Sequence, residues 1–174
     1  MAKKKTLVIT FILLIIVVLS ILLLSKSVLQ REEKKSAYQS VPAFSLPDIN
    51  GQIITEKFLQ KQNPSLFLFF DSGCELCHEE LKQIQIYQEA FQSCSMVFFS
   101  VEKENKIRDF LEELHFSPTD NMFFLIDTNE VLVNTMKING PPTSLIYGKN
   151  GKLLNRFDGP VKVETLVKYL SEQP

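Results

Sequence analysis

The chain has 174 residues, a formal net charge of −1 and no tryptophan. Its 19 lysines and arginines are balanced by 20 acidic residues and form no basic stripe, which excludes the nucleic-acid-binding classes of protein. The length leaves room for one compact domain once non-globular segments are set aside.

The first non-globular segment is an apolar run at residues 7–24, whose only polar residues are Thr10 and Ser20. At about 1.5 Å per residue the run is just long enough to cross a bilayer core of about 30 Å. A cleaved signal peptide is the alternative, but no small-x-small cleavage site follows and no cysteine stands at a lipidation position. The predicted organisation is therefore a cytoplasmic N-terminus at 1–6, an uncleaved transmembrane anchor at 7–24, a polar tether at 25–40 and one domain at 41–174.

Hydrophobic periodicity predicts the elements in the first half of the domain. They are a short hairpin made by 41–47 and Ile53-Ile54, a helical turn at 56–60, a buried strand at 65–70 and an amphipathic helix at 74–92. The helix is expected to turn four side chains inward, namely Leu81, Ile84, Tyr87 and Phe91.

The second half of the domain continues the alternation of strands and helices. Strands are predicted at 96–101 and 122–126, with a helix at 106–115 between them. A short helix, capped by Thr128 or Asn129, follows and ends at 136. Residues 143–147 and 152–157 then form a hairpin around Asn150-Gly151, and a last helix at 163–170 buries Leu166, Val167 and Leu170. This order predicts an α/β domain in which a mixed central sheet carries helices on both faces.

A Cys-x-x-Cys pair stands between the buried strand at 65–70 and the helix that follows it. Cys74 and Cys77 are thereby delivered to the first turn of a helix. Cys74 is expected to lie among unpaired backbone N–H groups at the positive end of the helix dipole. This environment favours a thiolate, the nucleophile of disulfide exchange.

A lone Cys-x-x-Cys is also compatible with half of a zinc site or with a structural disulfide. Zinc needs three or four ligands, and beyond the pair the candidates are only His78, Cys94 and His115. A disulfide that closes so small a loop would stabilise the fold little. Cys94 is most simply a small buried hydrophobic residue.

Pro141 and Pro142 stand just ahead of the predicted hairpin at 143–157. Prolines are ordinary in a turn before a strand. A more specific hypothesis is that one of the two X–Pro bonds is cis, since this conformation costs only about 0.5–1 kcal/mol at proline.

Several motifs occur together in one order: Phe44-x-Leu-Pro-Asp-x-x-Gly51, a strand followed by Cys74-x-x-Cys77, Asp127-Thr128 before a short helix, and Gly140-Pro-Pro-Thr143 before a hairpin with Asn150-Gly151. With this set the chain resembles the membrane-anchored thiol–disulfide oxidoreductases of the TlpA/ResA kind, within the thioredoxin superfamily and related to the AhpC/TSA proteins. The resemblance covers nearly all of residues 41–174.

The resemblance implies a thioredoxin fold with an N-terminal hairpin extension after the anchor. It implies that Pro142 is the cis-proline lying against Cys74, and that Glu80 is the acid that tunes thiol protonation. It also implies protein disulfides or dithiols as substrates and a membrane or extracytoplasmic thiol reductant as the recycling partner. No cofactor is expected.

The sequence departs from the family at three positions beside the cysteines. Gly73 stands where a tryptophan usually precedes the first cysteine, and Leu76 replaces the proline often found between the cysteines. Asp71 occupies a position that is usually small and uncharged. A carboxylate there would raise a thiol pKa if it were buried nearby.

The expected chemistry is thiol–disulfide exchange. The Cys74 thiolate attacks a partner disulfide, and Cys77 resolves the mixed disulfide while Glu80, directly or through a water, takes its proton. Glu75 disfavours the thiolate and leans the pair toward a reductant. The family's best-known task, reduction of the haem-site cysteines of apocytochrome c, gives a candidate substrate class.

Three other functions fit parts of the sequence. Cys74-x-x-Cys77-His78 is also the attachment pattern of c-type haem, which would make the protein an anchored electron carrier. A thiol peroxidase of the AhpC/TSA group is the second, although that group has a threonine where Asp71 stands. The third is a copper(I)-binding module using the two cysteines and His78.

The redox pair also indicates the orientation of the anchor, which the flanking charges leave open because basic residues stand on both sides of it. Disulfides persist outside the cytoplasm. The prediction is a single-pass protein of the cell membrane with its N-terminus inside and its catalytic domain in the periplasm or on the outer face.

Overall fold

The structure is a computed structural model that describes residues 14–23, 25, 37–59 and 63–171. The chain divides into two compact units, Met1–Ser36 and Ala37–Pro174. The predicted N-terminus at 1–6, the part of the predicted anchor at 7–13 and most of the predicted tether lie outside the described residues.

In the first unit, residues 14–23 are helical and their apolar side chains are exposed. No helix within the described residues is both long and apolar enough to span a bilayer.

Among the described residues of the second unit, seven strands form two sheets. They are β1 (Ser45–Pro47), β2 (Ile53–Thr55), β3 (Ser65–Phe69), β4 (Ser95–Ser100), β5 (Met122–Ile126), β6 (Thr143–Tyr147) and β7 (Leu153–Asp158). β1 and β2 are the predicted antiparallel hairpin, and the other five form one sheet in the order β5-β4-β3-β6-β7. β3, β4 and β5 run parallel, β6 pairs antiparallel with β3, and β7 pairs antiparallel with β6, so the predicted mixed sheet is confirmed.

The part of this unit that the structure describes also contains four helices and two short 3-10 turns. The helices are α1 (Glu75–Ile86), α2 (Glu104–Glu113), α3 (Val131–Met136) and α4 (Val163–Ser171), and the 3-10 turns are Glu56–Phe58 and Gln88–Phe91.

The sheet buries apolar side chains on both faces, as the apolar runs in β3 and β4 require. One face carries Leu66, Leu68 and Phe98 against α1, α2 and α4. The opposite face carries Phe67, Phe69 and Phe99 against α3 and the β1–β2 hairpin. Helices therefore cover both faces, as expected.

The predicted helix at 74–92 is shorter than the periodicity suggests. α1 ends at Ile86, and Tyr87 is 46% exposed rather than buried. The chain then makes a 3-10 turn that still buries Phe91. The inward positions of Leu81 and Ile84 are confirmed.

The cap of α3 also differs from the prediction. The carboxylate of Asp127, rather than Thr128 or Asn129, accepts the backbone N–H groups of Val131, Leu132 and Val133 at 2.6, 2.9 and 3.0 Å. Burial raises the pKa of Asp127, and these three N–H groups oppose the shift. In α4, Leu166 and Leu170 are buried as predicted, whereas Val167 is only half-buried.

Candidate active site

Cys74 is the N-cap residue of α1, so its side chain stands at the start of the helix. Its Sγ accepts the backbone N–H of Cys77 at 3.3 Å, and the side chain is half-buried. A sulfur in this place receives one of the N–H groups that the helix leaves unpaired, and it lies at the positive end of the dipole. The arrangement stabilises negative charge on the Cys74 sulfur.

Cys77 lies in the first turn of α1 and is fully buried in the core. Burial raises the pKa of its thiol far above the ordinary value, and the hydrogen bond with the Cys74 side chain adds to the shift. Both cysteines are free thiols in this structure. The two thiols therefore differ: one is accessible with its sulfur hydrogen-bonded, and the other is enclosed and protonated.

Glu80 follows Cys77 by almost one helical turn and is only 4% exposed. Burial raises its pKa to about 7, while the Ser144 hydroxyl and the nearby Val161 amide oppose the shift. Ser144 donates to Oε1 at 3.3 Å, and Oε2 makes no hydrogen bond to any described residue. The charge of Glu80 contributes to the raised pKa of Cys77, so the two groups interact electrostatically.

Pro142 stands just before β6, and the Pro141–Pro142 peptide bond is cis. The turn is held by its own hydrogen bonds: the Thr143 hydroxyl donates to the Gly140 carbonyl, and Gly159 N–H donates to the Pro142 carbonyl at 2.9 Å. Pro142 is buried. The residue two positions on is Ser144, which holds Glu80, so the turn and α1 belong to one connected region.

The loop before Cys74 contains an anchor that sequence reasoning missed. Ser72 donates its backbone N–H and its hydroxyl to the two carboxylate oxygens of Glu102, at 2.8 and 2.7 Å. Its carbonyl oxygen lies 2.8 Å from His78 Nε2. Glu102 follows β4 and lies far along the chain from Ser72, so no local pattern in the sequence indicated the contact.

The same loop explains why Gly73 and Asp71 occur together. Asp71 Oδ1 accepts the Gly73 N–H at 2.8 Å. A Cβ added at Gly73 would lie 3.2 Å from that oxygen, so a larger residue would force the Asp71 side chain to move. Asp71 is half-buried and caps the turn that leads to Cys74.

A groove of about 490 Å³ opens between α1 and the segment that leads into α4. Leu76 and Glu80 line it from α1, and Val161 lines it from the other side. Leu76 is 52% exposed next to Cys74.

The family match covers residues 37–156, more than half of the chain, and the family is AhpC/TSA. The chain belongs to the AhpC/TSA family. The sporulation thiol-disulfide oxidoreductase A of Bacillus subtilis (strain 168) is 26% identical over 145 residues, which are 82% of this chain and 86% of that protein.

Two solved structures of similar proteins carry the same fold as this AhpC/TSA chain. StoA from Bacillus subtilis superposes with a TM-score of 0.61 at 23% identity, over 75% of this chain and 98% of the other. Peroxidoxin BcpB from Mycobacterium tuberculosis superposes with a TM-score of 0.65 at 17% identity, over 76% and 94%. The predicted thioredoxin-like fold is thereby confirmed.

The positions of Cys77 and His78 in this AhpC/TSA protein argue against attachment of a c-type haem. Cys77 is enclosed in the core, and His78 Nε2 is already paired with the Ser72 carbonyl while its ring packs edge-on against Phe110. Neither is available for thioether attachment and ligation of a haem without opening the site. Within the described residues, no group of three or more His, Cys, Asp or Glu side chains is arranged to hold a metal ion.

Proposed function

We propose that this thioredoxin-fold thiol–disulfide oxidoreductase exchanges disulfides with protein partners outside the cytoplasm, with Cys74 as the nucleophile and Cys77 as the resolving thiol. The observation that carries the proposal is the contrast between the two cysteines. Cys74 is accessible and its sulfur accepts a backbone N–H, whereas Cys77 is buried and its pKa is raised. Exchange needs one exposed nucleophile and one thiol that reacts only after the partner is bound.

The proposed cycle begins when the Cys74 thiolate attacks a partner disulfide. A Cys74–partner S–S bond forms, the partner's own S–S bond breaks, and one partner thiolate leaves. Cys77 then loses its proton and attacks Cys74 Sγ, which forms the Cys74–Cys77 disulfide and releases the second partner thiolate. The partner gains two electrons and two protons, and the cysteine pair loses two electrons.

Glu80 is proposed as the base for the second step. A carboxylate with a pKa of about 7 is poised to accept and return a proton near neutral pH. Its electrostatic interaction with Cys77 supports this role. Pro142 is proposed to present its backbone to the partner on the opposite side of Cys74.

The proposed direction of electron flow is toward the partner, with the cysteine pair recharged by a membrane or extracytoplasmic thiol reductant. Disulfide pairs become strong oxidants when the thiolate stabilises their reduced form. Burial of Cys77 destabilises its thiolate, and Glu75 adds a negative charge between the cysteines. Apoproteins with oxidised haem-site cysteines are the proposed substrate class.

A trapping experiment tests the exchange reaction. The full-length Cys77→Ala variant would be expressed in the native cell, with Cys74→Ala/Cys77→Ala as the matched control. We expect reducible adducts on a non-reducing gel that involve Cys74, are absent from the control, and contain proteins with an extracytoplasmic pair of cysteines. Absence of adducts from the trapping variant would contradict the proposal.

Membrane attachment is part of the proposal and has its own support. The uncharged run at 7–24 is long enough to span a bilayer, and residues 14–23 are helical with exposed apolar side chains. We expect the full-length protein to stay in the membrane fraction after alkaline carbonate extraction. We also expect external protease to remove the catalytic domain from intact spheroplasts, and a protected domain would contradict the proposed orientation.

A thiol peroxidase is the second candidate function, favoured by the likeness to a peroxidoxin structure and by membership of the AhpC/TSA family. Its chemistry would oxidise the Cys74 thiolate to a sulfenic acid with peroxide, and Cys77 would condense with it to a disulfide. Consumption of hydrogen peroxide by the reduced protein separates the two functions. We expect oxidation by a protein disulfide to be far faster than oxidation by peroxide.

A further inference from the structure

The segment before the nucleophile is held more firmly than a surface loop requires. Ser72 is two residues ahead of Cys74, and all its backbone and side-chain polar groups are engaged. Its N–H and hydroxyl bind Glu102, and its carbonyl oxygen meets His78 Nε2. The Cys74 N–H is in turn fixed by the Asp71 carbonyl at 3.1 Å.

Glu102 is built into the region between β4 and α2. Its side chain is only 11% exposed. Besides Ser72 it contacts the hydroxyl of the fully buried Ser100 at 3.4 Å, and Lys106 Nζ lies 3.8 Å from Oε1. The Ser100 hydroxyl also accepts the backbone N–H of Glu102 at 3.2 Å, so this hydroxyl contacts both the backbone and the carboxylate of Glu102.

His78 holds the other side of Ser72. The backbone N–H of His78 donates to the Cys74 carbonyl at 3.1 Å, so His78 belongs to the first turn of α1. Its ring centroid lies 4.7 Å from that of Phe110 in α2. Ser72 is therefore held between α1 and the end of β4, and Cys74 follows it by two residues.

We propose that Glu102 is a positioning residue for Cys74: its two hydrogen bonds to Ser72 hold the loop so that the Cys74 sulfur stays on the Cys77 N–H at the helix start. The inference deepens the proposed function, because it takes Cys74 as the nucleophile. Glu102 touches no reacting atom and acts through Ser72 and the loop.

Charge and positioning make opposite predictions when Glu102 is replaced. A carboxylate near Cys74 disfavours a thiolate, so its removal alone would speed reactions of Cys74. Loss of the two hydrogen bonds would slow them, because the sulfur would leave its backbone donor. Glu102→Ala loses both the charge and the bonds. Glu102→Gln loses the charge but can accept the Ser72 N–H and donate to its hydroxyl.

The test is the rate at which iodoacetamide alkylates Cys74 in the reduced full-length protein in detergent, followed by mass spectrometry from pH 5 to pH 9. We expect Glu102→Ala to react roughly tenfold more slowly than the parent at neutral pH, the size expected from losing hydrogen bonds to a charged group. Glu102→Gln is expected to react at least as fast as the parent. Glu104→Ala is the control, because Glu104 is an exposed carboxylate that pairs with Arg108.

The buried thiols of Cys77 and Cys94 report whether each variant is folded, because only opening of the core exposes them to the reagent. Equal rates in Glu102→Ala and the parent would overturn the proposal, as would a Glu102→Gln variant as slow as Glu102→Ala. Alkylation needs no partner protein. A failure of the trapping experiment therefore leaves this outcome readable, and the two proposals can fail separately.

Discussion

At the scale of single residues, the site contains two buried titratable groups whose protonated forms are favoured by burial. Cys77 and Glu80 share the first two turns of α1 and face the core. Burial raises the pKa of each, and for Glu80 to about 7. In the proposed cycle, the enclosed Cys77 thiol stays protonated until a mixed disulfide at Cys74 provides an electrophile beside it.

Glu80 makes the stability of the domain depend on pH. Its folded pKa of about 7 exceeds the ordinary value of 4.5, so the folded state holds the proton more tightly than the unfolded chain does. The stabilising contribution is complete below about pH 4.5 and is lost as the pH rises through about 7. Above that pH the charged carboxylate destabilises the fold.

Glu80→Gln mimics the protonated acid at every pH. We expect the variant and the parent to have similar free energies of unfolding at pH 5, and the variant to be more stable at pH 8 by on the order of 3 kcal/mol. Denaturant titrations of the reduced protein at both pH values measure this difference. Glu79→Gln, at an exposed neighbour, is the control and should show no such trend. A constant difference for Glu80→Gln would contradict the prediction.

At the scale of elements, the short helix α3 depends on one carboxylate. Asp127 is fully buried and accepts three backbone N–H groups at the start of this helix. Without it those donors would be buried and unpaired, because a helix cannot pair its first N–H groups internally. Asp127 also follows β5 directly, so it fixes the junction of strand and helix.

Asp127→Ala is expected to lower the free energy of unfolding by about 2 kcal/mol, the upper end of measured N-cap losses. Thr128→Ala provides a matched control at the next residue, which is exposed and makes no cap. It should change the stability by less than about 0.5 kcal/mol. Thermal or denaturant unfolding of both variants decides the matter, and equal losses would contradict the assignment of the cap.

The elements that sequence reasoning predicted well are those whose burial is complete. β3 and β4 are buried at every position, and such runs are apolar whatever surrounds them. The end of α1 was not predictable in the same way, because Tyr87 and Phe91 continue the helical spacing although the backbone changes to a 3-10 turn after Ile86. The cap of α3 was missed because Thr128 is a good capping residue and only the fold shows that Asp127 points back at the helix.

The candidate site divides along similar lines. The Cys-x-x-Cys spacing identified Cys74 and Cys77, whereas Glu80 and Pro142 were predicted from the family resemblance. Ser144 and Glu102 were missed, since each contacts the site from a part of the chain that is distant in sequence. A contact between residues far apart in the chain leaves no trace in the local pattern of a single sequence.

At the scale of the whole second unit, Arg156 ties three parts of the chain together. Its guanidinium donates to the carbonyls of Met136 and Lys137 at the end of α3, at 2.6 and 2.8 Å, and to Asp158 in its own strand. The same group lies 5.1 Å from the centre of the Tyr38 ring. Tyr38, in the segment that precedes the β1–β2 hairpin, thereby contacts β7, an edge strand of the sheet.

Arg156→Ala is expected to lower the free energy of unfolding by about 2–3 kcal/mol, because two carbonyls lose a charged donor. Arg156→Lys keeps the charge but cannot reproduce the forked geometry, so we expect an intermediate loss. Lys152→Ala, an exposed residue near the same hairpin, should be close to neutral. Denaturant midpoints of the three variants test the order, and a Lys variant as stable as the parent would contradict it.

The register of the central strand has a consequence for how the chain folds. β3 pairs on one side with β4, the next strand along the chain, but on the other side with β6, where Ser65 lies opposite Tyr147. Such a distant pairing forms late, since a long loop must close before its contacts can form. Until residues 143–147 have been synthesised, β3 presents an open apolar edge of the kind that promotes aggregation. Cys74 and Cys77 are therefore synthesised well before Ser144, the residue that binds Glu80. A nascent protein consequently exposes both thiols before the site around them has formed.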